Sequence, residues 1–425
     1  MHGSGQRVDY PATGDATAGW DTAYERRAIT LLSLGFGLVA FDRFLILPMF
    51  PVIMKDLRLD YGDLGTITGA LAITWGLSAL LMGNLADRFG RRAVLVGAMA
   101  AFSLLVGFSG MATGALSLVL IRSVMGAAEG AYVPPSIAAT LEASRPDRHG
   151  LSLGIQQMMA PLLGLGLAPV LVTQLMPSIN WRWIFLIVAV PGLLVALLTA
   201  RTLRDPDPAQ AGAQARPIWA SLRDLIGYRN VLIAAGGMLC WLNCLIVLSA
   251  FLPSYLVDHL HLGMTQMGFT MSAMGIGAVV GSVVGPAISD RAGRKPTMIV
   301  MALCTIAGLA ALAAAPADPT ALFTALLLAA FFLYGLLTIT VGPVAVESVP
   351  VALRATASGA VIAVAELIGG GLAPVLAGAV ARRAGIDSIF WLAIGGIVIG
   401  CLLSLALVET APAVVRRRAS RHLAE

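Results

Sequence analysis

Charge is scarce in this 425-residue chain: Asp, Glu, Lys and Arg supply 12% of it, against 58% for the hydrophobic residues. That is too little charge to clothe a soluble surface, and it excludes a soluble globular protein. Histidine occurs five times, and His2, His149, His259, His261 and His422 all fall in tails or predicted loops. Histidine is therefore not the residue that moves protons inside an apolar segment. Cysteine occurs four times, at 240, 244, 304 and 401, always within apolar runs. Such cysteines read as packing rather than as a disulfide framework or a metal site, and neither metal nor cofactor is expected. The apolar segments hold no His/Cys/Asp cluster and no nucleophile motif, which excludes a membrane enzyme.

What the chain has instead is hydrophobic length. Its mean hydropathy is +0.85, and apolar runs of about 20 residues, enough to cross a bilayer core of about 30 Å, recur from end to end. Twelve are read, over 28–50, 64–84, 93–112, 115–141, 151–175, 181–200, 231–253, 267–289, 297–315, 320–344, 356–380 and 388–408. Backbone groups in lipid must be satisfied within the segment, so all twelve are predicted as α-helices. Glycine, at 46 residues, reads here as close helix packing. The polar first residues are followed by a span too long and too poorly flanked for a cleaved signal peptide. Placing the N-terminus in the cytoplasm puts 21 of the 28 Lys and Arg residues on loops and tails of that side, as the positive-inside rule requires. The expectation is a multi-pass protein of the inner or plasma membrane, monomeric, with both termini cytoplasmic. The net charge of +5 follows from that bias and calls for no nucleic acid.

The longest interior polar stretch, from Thr199 to Asn230, divides the spans into two sets of six. GLAPVL occurs at 166–171 and again at 371–376, while DRFGRR at Asp87 returns as DRAGRK at Asp290. Two matches at nearly one offset indicate two copies of a six-helix unit facing each other across a cavity, a plan suited to alternating access. The predicted organisation is a cytoplasmic tail over 1–27, a six-helix bundle over 28–200, a linker over 201–230, a second bundle over 231–408 and a tail over 409–425.

The segment GNLADRFGRR, Gly83 to Arg92, falls in the loop between the second and third spans. It resembles the signature loop of the major facilitator superfamily, and with twelve spans and the repeat that resemblance covers nearly the whole chain. It implies a gating role for Gly83, Asp87, Arg88, Gly90 and Arg91, and for Asp290, Arg291 and Arg294 in the second copy. Physically, Asp87 can face the positive end of a neighbouring helix. Glu347 and Arg354, in ESVPVALRATASG, read as a further gate pair.

Four ionisable residues lie deep in the first half: Asp42, Arg43, Arg122 and Glu129. Exposed to lipid they would cost about 2.5 to 3.5 kcal/mol each, so they must face a cavity or one another. Arg122 and Glu129 are seven residues apart and share one helix face with Tyr132. The repeat-equivalent positions are apolar, so this charge chemistry is expected in the first bundle alone. The pair DR, with RSVMGAAEGAYVPPS in the fourth span, resembles the anion:cation symporter family, which includes sialin, vesicular glutamate carriers and bacterial sugar-acid transporters. The resemblance implies that Asp42 and Glu129 carry protons while Arg43 and Arg122 hold the carboxylate of a small organic anion. The competing reading is that these residues form static pairs that stiffen the bundle. Glu366 is a third titrating group or reaches the cytoplasmic gate. One of Gln156 and Gln157 is expected to face substrate, with helix–helix hydrogen bonding as the alternative, and Trp241, Asn243 and Tyr334 are the second bundle's candidates, although packing is the stronger reading for each of these three. Proton-coupled import of a small carboxylate leads; proton-driven efflux of amphipathic compounds is the alternative, although GLGLAPVLV replaces the GPxxGG-like pattern of exporters. Sugar acid, aromatic acid and short dicarboxylate all remain open as cargo.

Overall fold

The computed structural model describes residues 21–145, 148–204, 223–350, 353–411 and 414, with the side chains of all of these except 83–89 and 355. Among the described residues there is no strand, and twelve helices are long and apolar enough to cross a membrane. They are α1 (Thr22–Leu57), α2 (Tyr61–Phe89), α3 (Arg91–Ser109), α4 (Ala115–Ala143), α5 (His149–Leu175), α6 (Trp181–Thr202), α7 (Arg229–His259), α8 (Met264–Ala292), α9 (Arg294–Ala314), α10 (Pro319–Glu347), α11 (Thr356–Ala384) and α12 (Ser388–Leu405).

Local chemistry sets the ends. The Asp21 carboxylate accepts from the Tyr24 N–H at 2.9 Å and caps α1. Arg58, in the left-handed region at φ 54°, stops it. Between those caps α1 runs for 36 residues, straight through Asp42 and Arg43, and it begins at Thr22, within the residues read as a tail. Both α5 and α11 carry a π-helical stretch just before or within the repeated GLAPVL, over Pro161–Leu167 and Ala365–Leu372. The internal repeat is therefore visible as a repeated irregularity of the backbone.

The two halves are two six-helix bundles with the same neighbour relations. In the first, α2 packs on α4, α4 on α3, and α3 on α6; in the second, α8 packs on α10, α10 on α9, and α9 on α12. Between the bundles α2 lies against α11 and α5 against α8, with α1 against α7. These contacts close the end of the molecule farther from the chain termini. A Cβ added at Gly65 on α2 would stand 2.2 Å from the carbonyl oxygen of Pro374 on α11, a separation that only glycine avoids.

Polar contacts at that far end reinforce the backbone ones. Arg382 on α11 reaches Asp60 at 3.3 Å, and Asp258 on α7 takes both the Tyr61 hydroxyl at 3.3 Å and Lys55 at 3.7 Å. Burial alone would raise the Asp60 carboxyl, but the Asp63 N–H, the Arg382 guanidinium and the Gly62 N–H outweigh it and hold the group below its ordinary range. A depressed carboxylate contributes closing interaction at all pH above about 4 and loses it only as the pH falls through the lowered value. The polar contacts that join described side chains of the two bundles, Arg43–Glu366, Tyr61–Asp258, Lys55–Asp258 and Asp60–Arg382, lie between mid-membrane and this far end. The described structure is closed at the far end.

Gly65→Val drives α2 from α11 by inserting a side chain where the Pro374 carbonyl stands. The expected outcome is about a tenfold faster reaction of a cysteine at Thr68 with an impermeant maleimide added from the far side, relative to the same cysteine in an otherwise unaltered protein. Equal rates would show that this contact does not hold the far end shut.

Candidate functional site: a charged cluster at mid-membrane

Asp42 and Arg43 are adjacent in sequence, but successive residues on a helix diverge by about 100°, and in the structure they serve different neighbours. Arg43 points across the bundle interface to α11. Its Nη2 donates to Glu366 Oε2 at 2.8 Å and its Nη1 to Glu366 Oε1 at 3.3 Å. The two side chains are 13% and 10% exposed, so this is a nearly buried fork-to-fork ion pair, the strong geometry for arginine and carboxylate. The rings of Phe44 and Trp75 stand 5.8 Å and 5.6 Å from the guanidinium carbon. Tyr334 on α10 is close enough to both Arg43 and Glu366 to interact electrostatically.

Asp42 turns the other way, into the first bundle, where it interacts electrostatically with Arg122 and Glu129. Arg122 is buried, donates from Nη1 to the Asp42 backbone carbonyl at 2.9 Å, and stands 5.7 Å from the Phe185 ring centre. Its Nε and Nη2 have no hydrogen-bond partner. Asp42 Oδ1 and both Glu129 oxygens are equally buried and equally unpartnered. The static pairs of the competing reading are thus not formed: neither Asp42 with Arg43 nor Arg122 with Glu129 is hydrogen-bonded. The chemistry is not confined to the first bundle either, because Glu366 brings a third acid to the cluster and interacts with Glu129 as well as with Arg43. A narrow cavity of about 20 Å³, with room in this conformation for little more than a water molecule, lies against Arg43 and Arg122. Its other walls are Thr68 and apolar side chains of α1, α2 and α7, among them Leu47, Leu71 and Ile246.

Several expected ligands turn out to pack. Tyr132 is fully buried, meets Phe102 edge-to-face at 6.1 Å, and donates its hydroxyl to the Leu32 carbonyl at 3.4 Å, which ties α4 to α1. Trp241 is fully buried between α7, α10 and α12, with its indole N–H on Thr340 Oγ1 at 3.1 Å. Asn243 donates to the Leu392 carbonyl at 3.5 Å and joins α7 to α12. Of the two glutamines, Gln156 is the inward one, bonded to Ser136 at 3.2 Å with its Oε1 unpartnered, while Gln157 is exposed.

The loop motifs build one device in each bundle at the terminal end. Arg91 pairs with Glu142, at the end of α4. In the second bundle Arg294 pairs with Glu347, at the end of α10, through two bonds of 2.8 Å and 3.3 Å, and with Asp290 at 2.6 Å. Arg294 is 4% exposed, whereas Arg354 and Arg291 are exposed. The expected Glu347–Arg354 pair is therefore replaced by Glu347–Arg294, since burial of Arg294 demands the carboxylate. Gly90 and Gly293 open α3 and α9 with φ of 87° and 105°, a region that disfavours side chains. The side chains of Gly83–Phe89, and with them the expected roles of Asp87 and Arg88, lie outside the described ones. Glu409 holds the N-terminus of α9 through the backbone N–H groups of Arg294 and Lys295 at 2.8 Å and 3.2 Å. Neither Glu142 nor Glu409 was predicted. Glu142 could have been, because it sits one repeat offset before Glu347.

Glu347→Gln removes half of a buried charge-assisted pair and is expected to lower stability by about 2 kcal/mol, while Arg354→Gln changes it by less than about 0.5 kcal/mol. Thermal unfolding of the purified variants measures both, and equal losses would restore Arg354 as the partner.

Comparison with known proteins places this geometry. Residues 32–374 match the sequence profile of the Major Facilitator Superfamily. The chain is 28% identical over 389 residues to the gentisate transporter of Corynebacterium glutamicum, covering 86% of this chain and 84% of that one. It is 25% identical over 307 residues to the hexuronate transporter of Bacillus subtilis, covering 67% and 71%. Among solved structures, a bacterial homologue of the human lysosomal transporter Spinster, inward-facing and occupied, superposes with a TM-score of 0.75 at 18% identity, over 90% of this chain and 96% of that one.

Proposed function

The chain belongs to the major facilitator superfamily, and we propose that it is a proton-coupled symporter that imports a small organic carboxylate by alternating access. One observation carries the reading: buried Arg122 keeps two N–H groups without a protein partner on a cavity that Arg43 also lines, among acids that have no hydrogen-bond partner of their own. Arginine presents a planar fork that fits a carboxylate. The gentisate and hexuronate transporters supply the organic-acid setting by their names. Taking the terminal face as cytoplasmic, the far-end closure corresponds to an inward-facing carrier.

The coupling follows from charge. With Glu366 holding Arg43, the remaining members Asp42, Glu129 and Arg122 sum to minus one when all are ionised, and an entering anion would deepen a buried negative charge in a low-dielectric site. Each proton accepted by Asp42 or Glu129 raises the sum by one. Two protons bring it to plus one and match a monoanion. Proton and substrate then enter together, and neither is favoured alone. The amphipathic-efflux alternative gives no use to a buried arginine whose fork has no protein partner.

Proteoliposome uptake of labelled acids, with and without an inward proton gradient, tests the reading; absence of gradient-driven uptake of any acid overturns it. Asp42→Asn and Glu129→Gln mimic the protonated acids and are expected to retain substrate binding. Gradient-driven accumulation is expected to fall at least tenfold in one or both, while counterflow, which needs no return of the empty carrier, partly survives. Arg122→Lys keeps charge but loses the fork, and uptake is expected to fall at least tenfold. Full accumulation in both acid variants would sink the proton assignment.

A further inference from the structure

We propose that Glu366 sets the charge class of the cargo: as a built-in carboxylate on Arg43 it leaves Arg122 as the cavity arginine with no carboxylate on its fork, so the carrier selects monocarboxylates with an apolar body over dicarboxylates and sugar acids. The inference rests on the reading that the cargo is an organic anion.

Two arginines line one cavity, and two cations side by side would suit a dicarboxylate. They are not equivalent. Both terminal nitrogens of Arg43 are engaged by Glu366, and because Glu366 is part of the same chain, a free carboxylate competes for Arg43 against a tethered one at high effective concentration. Displacing Glu366 would also strand its charge in a nearly dry site. Arg122 is the reverse case. Its Nη1 is fixed to the Asp42 carbonyl, which orients the guanidinium, while Nε and Nη2, the two donors of one side-on fork, have no partner. One carboxylate fits there by two parallel hydrogen bonds.

The walls constrain the rest of the molecule. Apart from the two arginines the cavity has one polar side chain, Thr68, and its hydroxyl donates to the Leu64 and Gly65 carbonyls of its own helix at 2.8 Å and 3.1 Å. A hydroxyl-rich sugar acid would bury groups with nothing to accept or donate to, which is disfavoured at every such group. The fit is therefore to an acid with one carboxylate and a flat or aliphatic body.

Benzoate, succinate and galacturonate, compared as substrates and as competitors in proteoliposomes containing the full chain, provide the test. The unaltered protein is expected to take benzoate at least tenfold better than succinate or galacturonate. Glu366→Gln frees Arg43 and is expected to raise the succinate-to-benzoate ratio at least tenfold, while Glu366→Asp, which keeps the carboxylate, stays near the original ratio. A preference for succinate or galacturonate in the unaltered protein, or an unchanged ratio in Glu366→Gln, overturns the selectivity role and leaves organic-anion transport standing. Failure to bind or move any of the three overturns the anion reading itself, and the selectivity with it. If Glu366→Gln does not elute as a folded protein, the preference of the unaltered protein decides alone.

Discussion

A charge carried into an apolar interior must be answered by the protein, because neither water nor lipid will answer it. That constraint organises the middle of this molecule. Five ionisable side chains stand there, and of these Arg43 and Glu366 are hydrogen-bonded to each other. They meet across the interface of the two bundles, so the buried polar bond in the centre is also one that joins the halves. The remaining three, Asp42, Arg122 and Glu129, retain unmet hydrogen-bonding capacity. A site with unmet capacity in a dry setting is one that exchanges protons and anions with little disruption of its scaffold, which separates the part of the cluster that works from the part that holds.

The ends of the molecule solve the closing problem by different means. At the far end, small residues let helix backbones approach directly, and exposed ion pairs add to that closeness. At the terminal end each bundle keeps its own buried or half-buried arginine–glutamate pair, Arg91 with Glu142 and Arg294 with Glu347. Contacts of the first kind join the bundles and contacts of the second kind brace each bundle internally. The bundles can part at the terminal end without breaking the braces.

Much of this was legible in the sequence, and the limits follow from distance along the chain. Twelve apolar runs and a repeated motif fix helices and their order because those signals are local or periodic. Asp42, Arg43, Arg122 and Glu129 stand out because a charge inside an apolar run is conspicuous on its own. The partners are another matter. Arg43 and Glu366 are 323 residues apart, and no local pattern selects Glu366 over the sequence-adjacent Asp42; only the 100° step of the helix, applied to a known neighbour arrangement, does so. The same reason accounts for Glu347 pairing with Arg294 instead of Arg354. Tyr132 and Trp241 share faces with polar residues and look like ligands, but a helix face in a bundle has two edges, and theirs is the edge that meets another helix.

The opposed aims of Asp42 and Arg43 bear on how this gene can change. Two neighbouring residues feed two compartments of one site, and the partition depends on helical phase alone. Adding one codon between Asp21 and Arg43 would turn the pair by about 100° and put the carboxyl where the guanidinium now meets α11, while deleting one would put the guanidinium where the carboxyl now sits inside the first bundle. Point changes along the outer face of α1 leave that phase untouched. The first helix is thus free to drift in composition while its length is frozen, a constraint written in the reading frame and not in any single side chain.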